Sequence, residues 1–150
     1  RPDFDLDSDA TRVTASVIST LPDALRAAQP AFESTGGLHA AGLFTVDGRL
    51  LVAREDVGRH NAVDKVVGWA LLNGHRPASG TILMVSGRTS FELAQKAVLA
   101  GIPILAGISA PSSLAVDVAR EFGLTLAGFV RAGRMNVYAR DDRITVGSES

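Results

Sequence analysis

The sequence contains no cysteine. That absence removes disulfides, thiolate nucleophiles and cysteine metal ligands together. It also lacks a surplus of charge of either sign, with 15 basic residues facing 16 acidic ones for a net charge of -1. Non-selective binding to nucleic acid or to a membrane surface draws on clustered positive charge, so neither is expected of this chain. No apolar run approaches the ~20 residues of a membrane span. The start, Arg1-Pro2-Asp3-Phe4-Asp5-Leu6-Asp7, is acidic and does not have the basic-then-apolar order of a signal peptide. A cytoplasmic protein is therefore the expectation, and the abrupt polar start suggests a fragment or a processed chain. Internal repeats, low-complexity tracts, a Walker loop and a G-x-G-x-x-G fingerprint are absent as well. What remains is a 150-residue chain, 46% hydrophobic, the size of one domain around one sizeable core.

The apolar pattern alternates between strand and helix periods. Asp7 or Asp9 is placed to cap a first helix with Val13, Val17, Leu21, Ala24 and Ala28 as its stripe, and Pro30 stops it. Ser34-Thr35-Gly36-Gly37 reads as a turn, Leu38 to Val46 as a strand and Arg49 to Glu55 as its partner. Asp47-Gly48 between them reads as a two-residue hairpin turn with positive φ at both positions. Asn61 is a candidate N-cap for a helix whose face is Val63, Val66, Val67, Ala70 and Leu71, ended at Gly74. A buried strand follows over Thr81 to Val85. Thr89-Ser90-Phe91-Glu92 is a capping box, followed by Leu93, Ala94, Ala97 and Val98 up to Gly101. Pro103 to Ile108 is the next strand. Ser112 or Ser113 caps a helix carrying Leu114, Val118 and Phe122, ended at Gly123. Leu124 to Val130 and Met135 to Tyr138 are the last strands. Successive strand–helix units imply right-handed crossovers and a helix-covered sheet, and the hairpin adds an antiparallel element. The expected fold is α/β: a three-layer α/β/α domain with a mixed, mainly parallel sheet.

In such sheets ligands bind beyond the carboxyl ends of the strands. Those ends carry Asp56-Val57-Gly58-Arg59-His60-Asn61, Ser86-Gly87-Arg88-Thr89-Ser90, Ser109-Ala110-Pro111-Ser112-Ser113 and Arg131-Ala132-Gly133-Arg134. The first three open a helix, whose free N–H groups and dipole favour anions. Arginine adds bidentate hydrogen bonds to phosphate. Hydroxyls at helix starts serve as caps in most proteins, so it is their gathering on one edge that points to an anion-binding rim and to pyrophosphate or a nucleotide. His60 would need a carboxylate to orient it as a base, and Asp56 or Asp64 could serve. With His39 in a strand and His75 after a helix, no metal site is expected. Trp69 reads as packing.

The run Glu55-Asp56-Val57-Gly58-Arg59-His60-Asn61-Ala62-Val63-Asp64-Lys65-Val66-Val67-Gly68 resembles the FdhD family, the formate dehydrogenase accessory sulfurtransferases. So do Thr35 to Ala41, Ser86-Gly87-Arg88-Thr89-Ser90-Phe91-Glu92, Ile108 to Ala115, Gly128-Phe129 and Gly133-Arg134-Met135-Asn136-Val137-Tyr138, in that family's order. The resemblance implies a cytoplasmic homodimer that carries sulfur from a cysteine desulfurase to the molybdenum cofactor before insertion into formate dehydrogenase. It implies binding of the bis(molybdopterin guanine dinucleotide) form, with GDP as a possible analogue. The family's cofactor-binding stretch matches Phe129-Val130-Arg131-Ala132-Gly133-Arg134 here. Together with the rim residues Arg59, His60, Ser86, Arg88, Thr89 and Ser90, these form the candidate cofactor-binding set.

The family carries sulfur as a persulfide on an upstream C-x-x-C, which this chain does not contain. Residues 1–150 are therefore expected to be a single cofactor-binding domain from the carboxyl-terminal part of a longer protein, without a catalytic residue of its own. The alternative is a noncatalytic scaffold that holds the cofactor and docks formate dehydrogenase. The family also resembles the cytidine-deaminase fold. There, His-Ala-Glu or Cys-Ala-Glu opens one helix and Pro-Cys-x-x-Cys the next. Here the matching starts read His60-Asn61-Ala62 and Thr89-Ser90-Phe91-Glu92, without the glutamate or the cysteine ligands. Zinc deamination needs those groups, so it is rejected.

Overall fold

The structure is a computed structural model that describes residues 6–29, 38–75 and 78–146. Pro30 and the turn at Ser34-Thr35-Gly36-Gly37 lie outside the described residues. The elements run β1 (Val13–Thr14), α1 (Ala15–Ala27), β2 (His39–Thr45), β3 (Leu50–Asp56), α2 (Arg59–Leu72), β4 (Thr81–Val85), α3 (Phe91–Ala100), β5 (Ile104–Gly107), α4 (Ser113–Phe122), β6 (Thr125–Arg131), β7 (Arg134–Ala139) and β8 (Ile144–Thr145).

Six strands form one sheet in the order β3-β2-β4-β5-β6-β7. The β4–β5 and β5–β6 pairs are parallel, while β2 runs against both β3 and β4, and β7 against β6. Hence β3, β4, β5 and β6 all point one way, and their carboxyl ends share one edge. On one face α2, α3 and α4 pack through Val63, Val66, Leu93, Ala97, Ala115 and Ala119. On the other face α1 packs through Ile18, Leu21 and Leu25 against Phe44, Ile82, Met84 and Ile104. Those three α1 residues recur at helical spacing and are each 2% exposed or less. Burying each contributes ~1.5–3 kcal/mol. The three-layer α/β/α expectation matches this arrangement.

Several local expectations are corrected. The first helix starts at Ala15 and is capped by Thr14, whose hydroxyl accepts from Val17 N at 3.2 Å. Asp7 and Asp9 do not cap it: Asp9 Oδ1 accepts from Thr11 N, and Oδ2 from Ser79 Oγ. Val13 belongs to β1, paired with Ile144. The N-cap of α2 is Gly58 rather than Asn61, and that of α3 is Ser90 rather than Thr89. The β2–β3 connection has positive φ at Gly48 alone, with Gly48 N bonded to Thr45 O. This matches a three-residue loop with a glycine bulge, and a separate register shift lies farther along the hairpin, between Leu43 and Phe44. Leu71 and Leu114 are 55% and 59% exposed. The stripe of α4 that meets the sheet is Ala115 and Ala119, because small side chains let the helix backbone approach closely.

Candidate functional site

The cross-strand partners His39–Asp56 and Ala41–Val85 place the start of β2 on the same edge as the carboxyl ends of β3 and β4. The four loops expected to form a rim do lie along this edge. They are not one pocket. From β3 to β6 there are four strand spacings, roughly 19 Å. Arg59 and His60 therefore stand at one end of the rim and the Phe129–Arg134 stretch at the other.

At the first end, Asp56 organises the loop into α2. Its Oδ1 accepts from Gly58 N at 3.0 Å and from Asn61 Nδ2 at 3.4 Å, and its Oδ2 pairs with Lys65 Nζ at 2.9 Å. The Gly58 N–H, followed by Lys65, holds its pKa down to about 2. Asp64 pairs with Lys96 at 2.7 Å. Neither carboxylate is bonded to His60, so a base role for that histidine lacks the orienting partner it would need. Gly58 has no side chain with which to cap α2, leaving the first N–H groups of the helix open. The Arg59 Nε is buried and, among the described residues, unpaired.

In the second loop, Ser86 is tied to β2 twice: its N donates to Ala40 O at 3.0 Å, and its Oγ accepts from Ala40 N at 2.9 Å. A Cβ on Gly87 would stand 3.0 Å from His39 Nδ1 and 3.6 Å from Arg59 Cδ. His39 thus joins the rim, although its local pattern marks it only as a strand residue; the register that sets it opposite Asp56 is the signal that would have found it. Arg88 is exposed. Thr89 is 1% exposed with its hydroxyl lying over Gly107, and Ser90 spends its hydroxyl on Leu93 N. The second and third loops are stitched by a Thr89–Pro111 bridge and by Ser112 N donating to Thr89 O at 2.9 Å. Ser112 caps α4. The side chains of Ser90 and Ser86 therefore serve the loops first, while the buried Thr89 hydroxyl has no hydrogen-bond partner among the described residues.

At the far end β6 is distorted. Gly128 packs so tightly that a Cβ would meet Pro111 Cδ at 2.9 Å and Ser109 O at 3.0 Å. The next residue, Phe129, has φ of 52°, a left-handed conformation that costs a bulky residue ~1–3 kcal/mol. Phe129 N donates to Ser109 O at 3.3 Å, and its ring is 39% exposed. Val130 turns into the core at 2% exposure, so within the candidate set it can offer a ligand its backbone alone. Arg131 and Arg134 are cross-strand partners around Ala132-Gly133, and both are exposed. Phe129, Arg131, Arg134, Met135 and Asn136 line an open groove of about 540 Å³. Arg134 and Met135 also border a second groove of about 380 Å³, facing Ser16 and Ser19 of α1. Among the described residues none of Arg59, Arg88, Arg131 and Arg134 pairs with a carboxylate. Four guanidinium groups without a carboxylate partner among the described residues stand along one edge, and the uncapped N-terminus of α2 opens on it, which makes a surface suited to an extended polyanion.

A metal fits poorly. Among the described residues no group of three His, Asp or Glu side chains could hold one. His75 stacks on Trp69 with ring centroids 5.4 Å apart, away from the rim. Chelator-washed protein should therefore contain far less than one equivalent of zinc by atomic absorption; a stoichiometric amount would refute this.

A sulfur carrier protein FdhD from Streptomyces coelicolor is 64% identical over 140 residues, covering 93% of this chain and 50% of that protein. One from Sulfurisphaera tokodaii is 54% identical, covering 89% and 52%. The chain thus spans about half the length of the curated relatives it matches. A solved structure from Desulfotalea psychrophila, assigned as a formate dehydrogenase accessory protein, superposes with a TM-score of 0.84 at 34% identity, covering 91% of this chain and 58% of that one. A guanine deaminase from Nitrosomonas europaea, at 15% identity and a TM-score of 0.56 over 92% of this chain and 85% of that one, shares the fold, as expected of a cytidine-deaminase-like sheet. The model of the FdhD/NarQ family matches residues 3–145, and the chain belongs to that family.

Proposed function

We propose that this chain is the cargo-binding part of a sulfur carrier protein. In this reading the cargo is the bis(molybdopterin guanine dinucleotide) molybdenum cofactor, which receives sulfur originating at a cysteine desulfurase and then passes to formate dehydrogenase. The observation that carries the reading is the strained, exposed Phe129 lining an open groove with Arg131 and Arg134, two arginines that have no carboxylate partner among the described residues. Backbone strain of this kind persists where surrounding structure enforces it, and it gathers at ligand sites. An aromatic ring beside guanidinium groups offers stacking and phosphate contacts together. The rim's length of roughly 19 Å suits a ligand with several phosphates rather than one. A homodimer in the cytoplasm belongs to the same reading, and among the described residues no helix is long and apolar enough to cross a membrane. The absence of cysteine favours, for this chain alone, the second reading of a noncatalytic scaffold that holds the same cargo and docks formate dehydrogenase.

GDP serves as the soluble probe. Calorimetric titration should show binding in moderate salt; no heat and no thermal shift at millimolar GDP would refute the assignment. Arg134→Ala should weaken binding about tenfold or more, since a charge-assisted phosphate contact contributes ~1.5–3 kcal/mol. Because Arg134 is exposed, the melting temperature should hardly change. A large fall in melting temperature with unchanged affinity would make it a structural residue instead.

A further inference from the structure

The groove beside Phe129 holds one residue that neither phosphate contacts nor packing explains. Asn136 is exposed on β7, and its cross-strand partner is Gly128, the residue before Phe129. Asn136 and Phe129 therefore stand close across the hairpin, and both line the groove with Arg131, Arg134 and Met135. The Asn136 amide is turned towards the sheet by its nitrogen. Nδ2 donates to the Tyr138 hydroxyl at 3.5 Å, and Tyr138 itself packs against the core. Among the described residues nothing else hydrogen-bonds to the Asn136 side chain. Its Oδ1 and the second N–H of Nδ2 are left for a ligand, an acceptor and a donor side by side on an uncharged group.

The residues of this groove divide the recognition of one molecule between them. Arg131 and Arg134 suit phosphate. The Phe129 ring offers a face for stacking, which accepts any base because every base has a flat π-face. Asn136 adds hydrogen bonds that depend on what the edge of the base carries. A primary amide makes a bidentate pair with an edge where a donor stands next to an acceptor. Guanine presents such an edge at N1–H and O6. At about 540 Å³ the groove has the size of a small-molecule pocket, with room for a whole nucleotide. We propose that Asn136 is a specificity-determining residue: with guanine stacked on Phe129, Oδ1 accepts from N1–H and Nδ2 donates to O6. This rests on the groove taking the phosphates of a nucleotide, as proposed above, and it adds to the site a residue outside the 129–134 stretch.

The probes are GDP, 1-methyl-GDP, in which a methyl group replaces the N1 hydrogen, and inorganic pyrophosphate, which has no base. In calorimetric titrations of the intact chain, 1-methyl-GDP should bind about tenfold more weakly than GDP, because the methyl group removes the donor and crowds the amide. Asn136→Leu should bring the two nucleotides within twofold of each other by weakening GDP, while pyrophosphate affinity stays unchanged. Equal binding of GDP and 1-methyl-GDP by the unaltered chain, with pyrophosphate still bound, would overturn the role of Asn136 and leave the phosphate reading standing. So would a preference for GDP that survives in Asn136→Leu. Loss of pyrophosphate binding in that variant would make Asn136 a structural residue of the groove and would also overturn the proposal. Failure of both GDP and pyrophosphate to bind the unaltered chain would refute the phosphate reading and this inference with it. The comparison of GDP with its methylated form needs no variant, so it decides the matter even if Asn136→Leu does not fold.

Discussion

Sulfur supplied as labelled cysteine through a cysteine desulfurase should leave no reducible label on this chain. Accepting a persulfide sulfur requires a thiolate to attack the outer sulfur of the donor persulfide. The donor's S–S bond breaks and its cysteine leaves as a thiolate. This chain has no cysteine, and its two methionines cannot substitute. A thioether has no dissociable proton and no exchangeable sulfur. The test is run beside a full-length relative under the same conditions. The chain alone should also fail to restore formate dehydrogenase activity in cells that lack the full protein, while remaining folded. Label retained by the chain and released by reductant would place the sulfur chemistry somewhere other than on a cysteine, and would overturn the division of labour proposed above.

Replacing Arg143 with methionine should destabilise the fold far more than removing any exposed arginine of the rim. Arg143 is 0% exposed. Its Nε donates to Asp9 O at 3.2 Å. Its Nη1 donates to Gly123 O at 2.6 Å, to Thr125 Oγ1 at 3.0 Å and to Pro103 O at 3.4 Å, and its Nη2 to Leu6 O. One guanidinium therefore fastens the segment before β1 to the β5 and β6 starts and to the end of α4. Burial lowers its pKa, first through desolvation and then through the nearby Arg140 cation, while Asp9 and Asp142 oppose the shift. Arg143→Met fills much of the same space but leaves several buried carbonyls without donors. Each unpaired group costs ~1–3 kcal/mol, so a total loss above ~3 kcal/mol is expected. For a domain of this size that lowers the melting temperature by roughly 6–12 °C. Circular dichroism on heating measures it, and Arg143→Lys, with fewer donors in a less suitable geometry, should fall between. A shift under about 2 °C for the methionine variant would show that solvent or rearrangement satisfies those carbonyls.

Arg143 also shows where reading the sequence stops. In Asp141-Asp142-Arg143 it looks like one more surface charge, because its partners lie 18 to 137 residues away in the chain. The β1–β8 pair is hidden for the same reason, since it joins Val13 to Ile144. Elements with strong local signals were legible: β4 spans Thr81–Val85 as its unbroken apolar run foretold, and Gly101 and Gly123 end their helices in the left-handed conformation. Stripes were less so. Leu71 and Leu114 satisfy helical spacing yet face outward, because the helix faces are settled by how closely α2 and α4 approach the sheet.

The rim was legible as a set of loops, because alternating strands and helices fix which ends share an edge. Which side chains are free on that edge was not. Asp56 is committed to Gly58 and Lys65, and Ser90 to its own helix. Val130 points inward because bulge and turn geometry reset the alternation after Gly128. His39 emerged only from tertiary placement.

Phe129 sets two demands on one codon. Its left-handed backbone would be relieved by glycine, while its exposed ring is what a ligand would touch. Random libraries at this position should consequently diverge according to what is rewarded. Selection for heat resistance alone should enrich glycine and asparagine, which tolerate this backbone, whereas selection for cargo retention should keep an aromatic ring. The separation between the two outcomes would measure how much conformational strain the protein retains for the sake of binding.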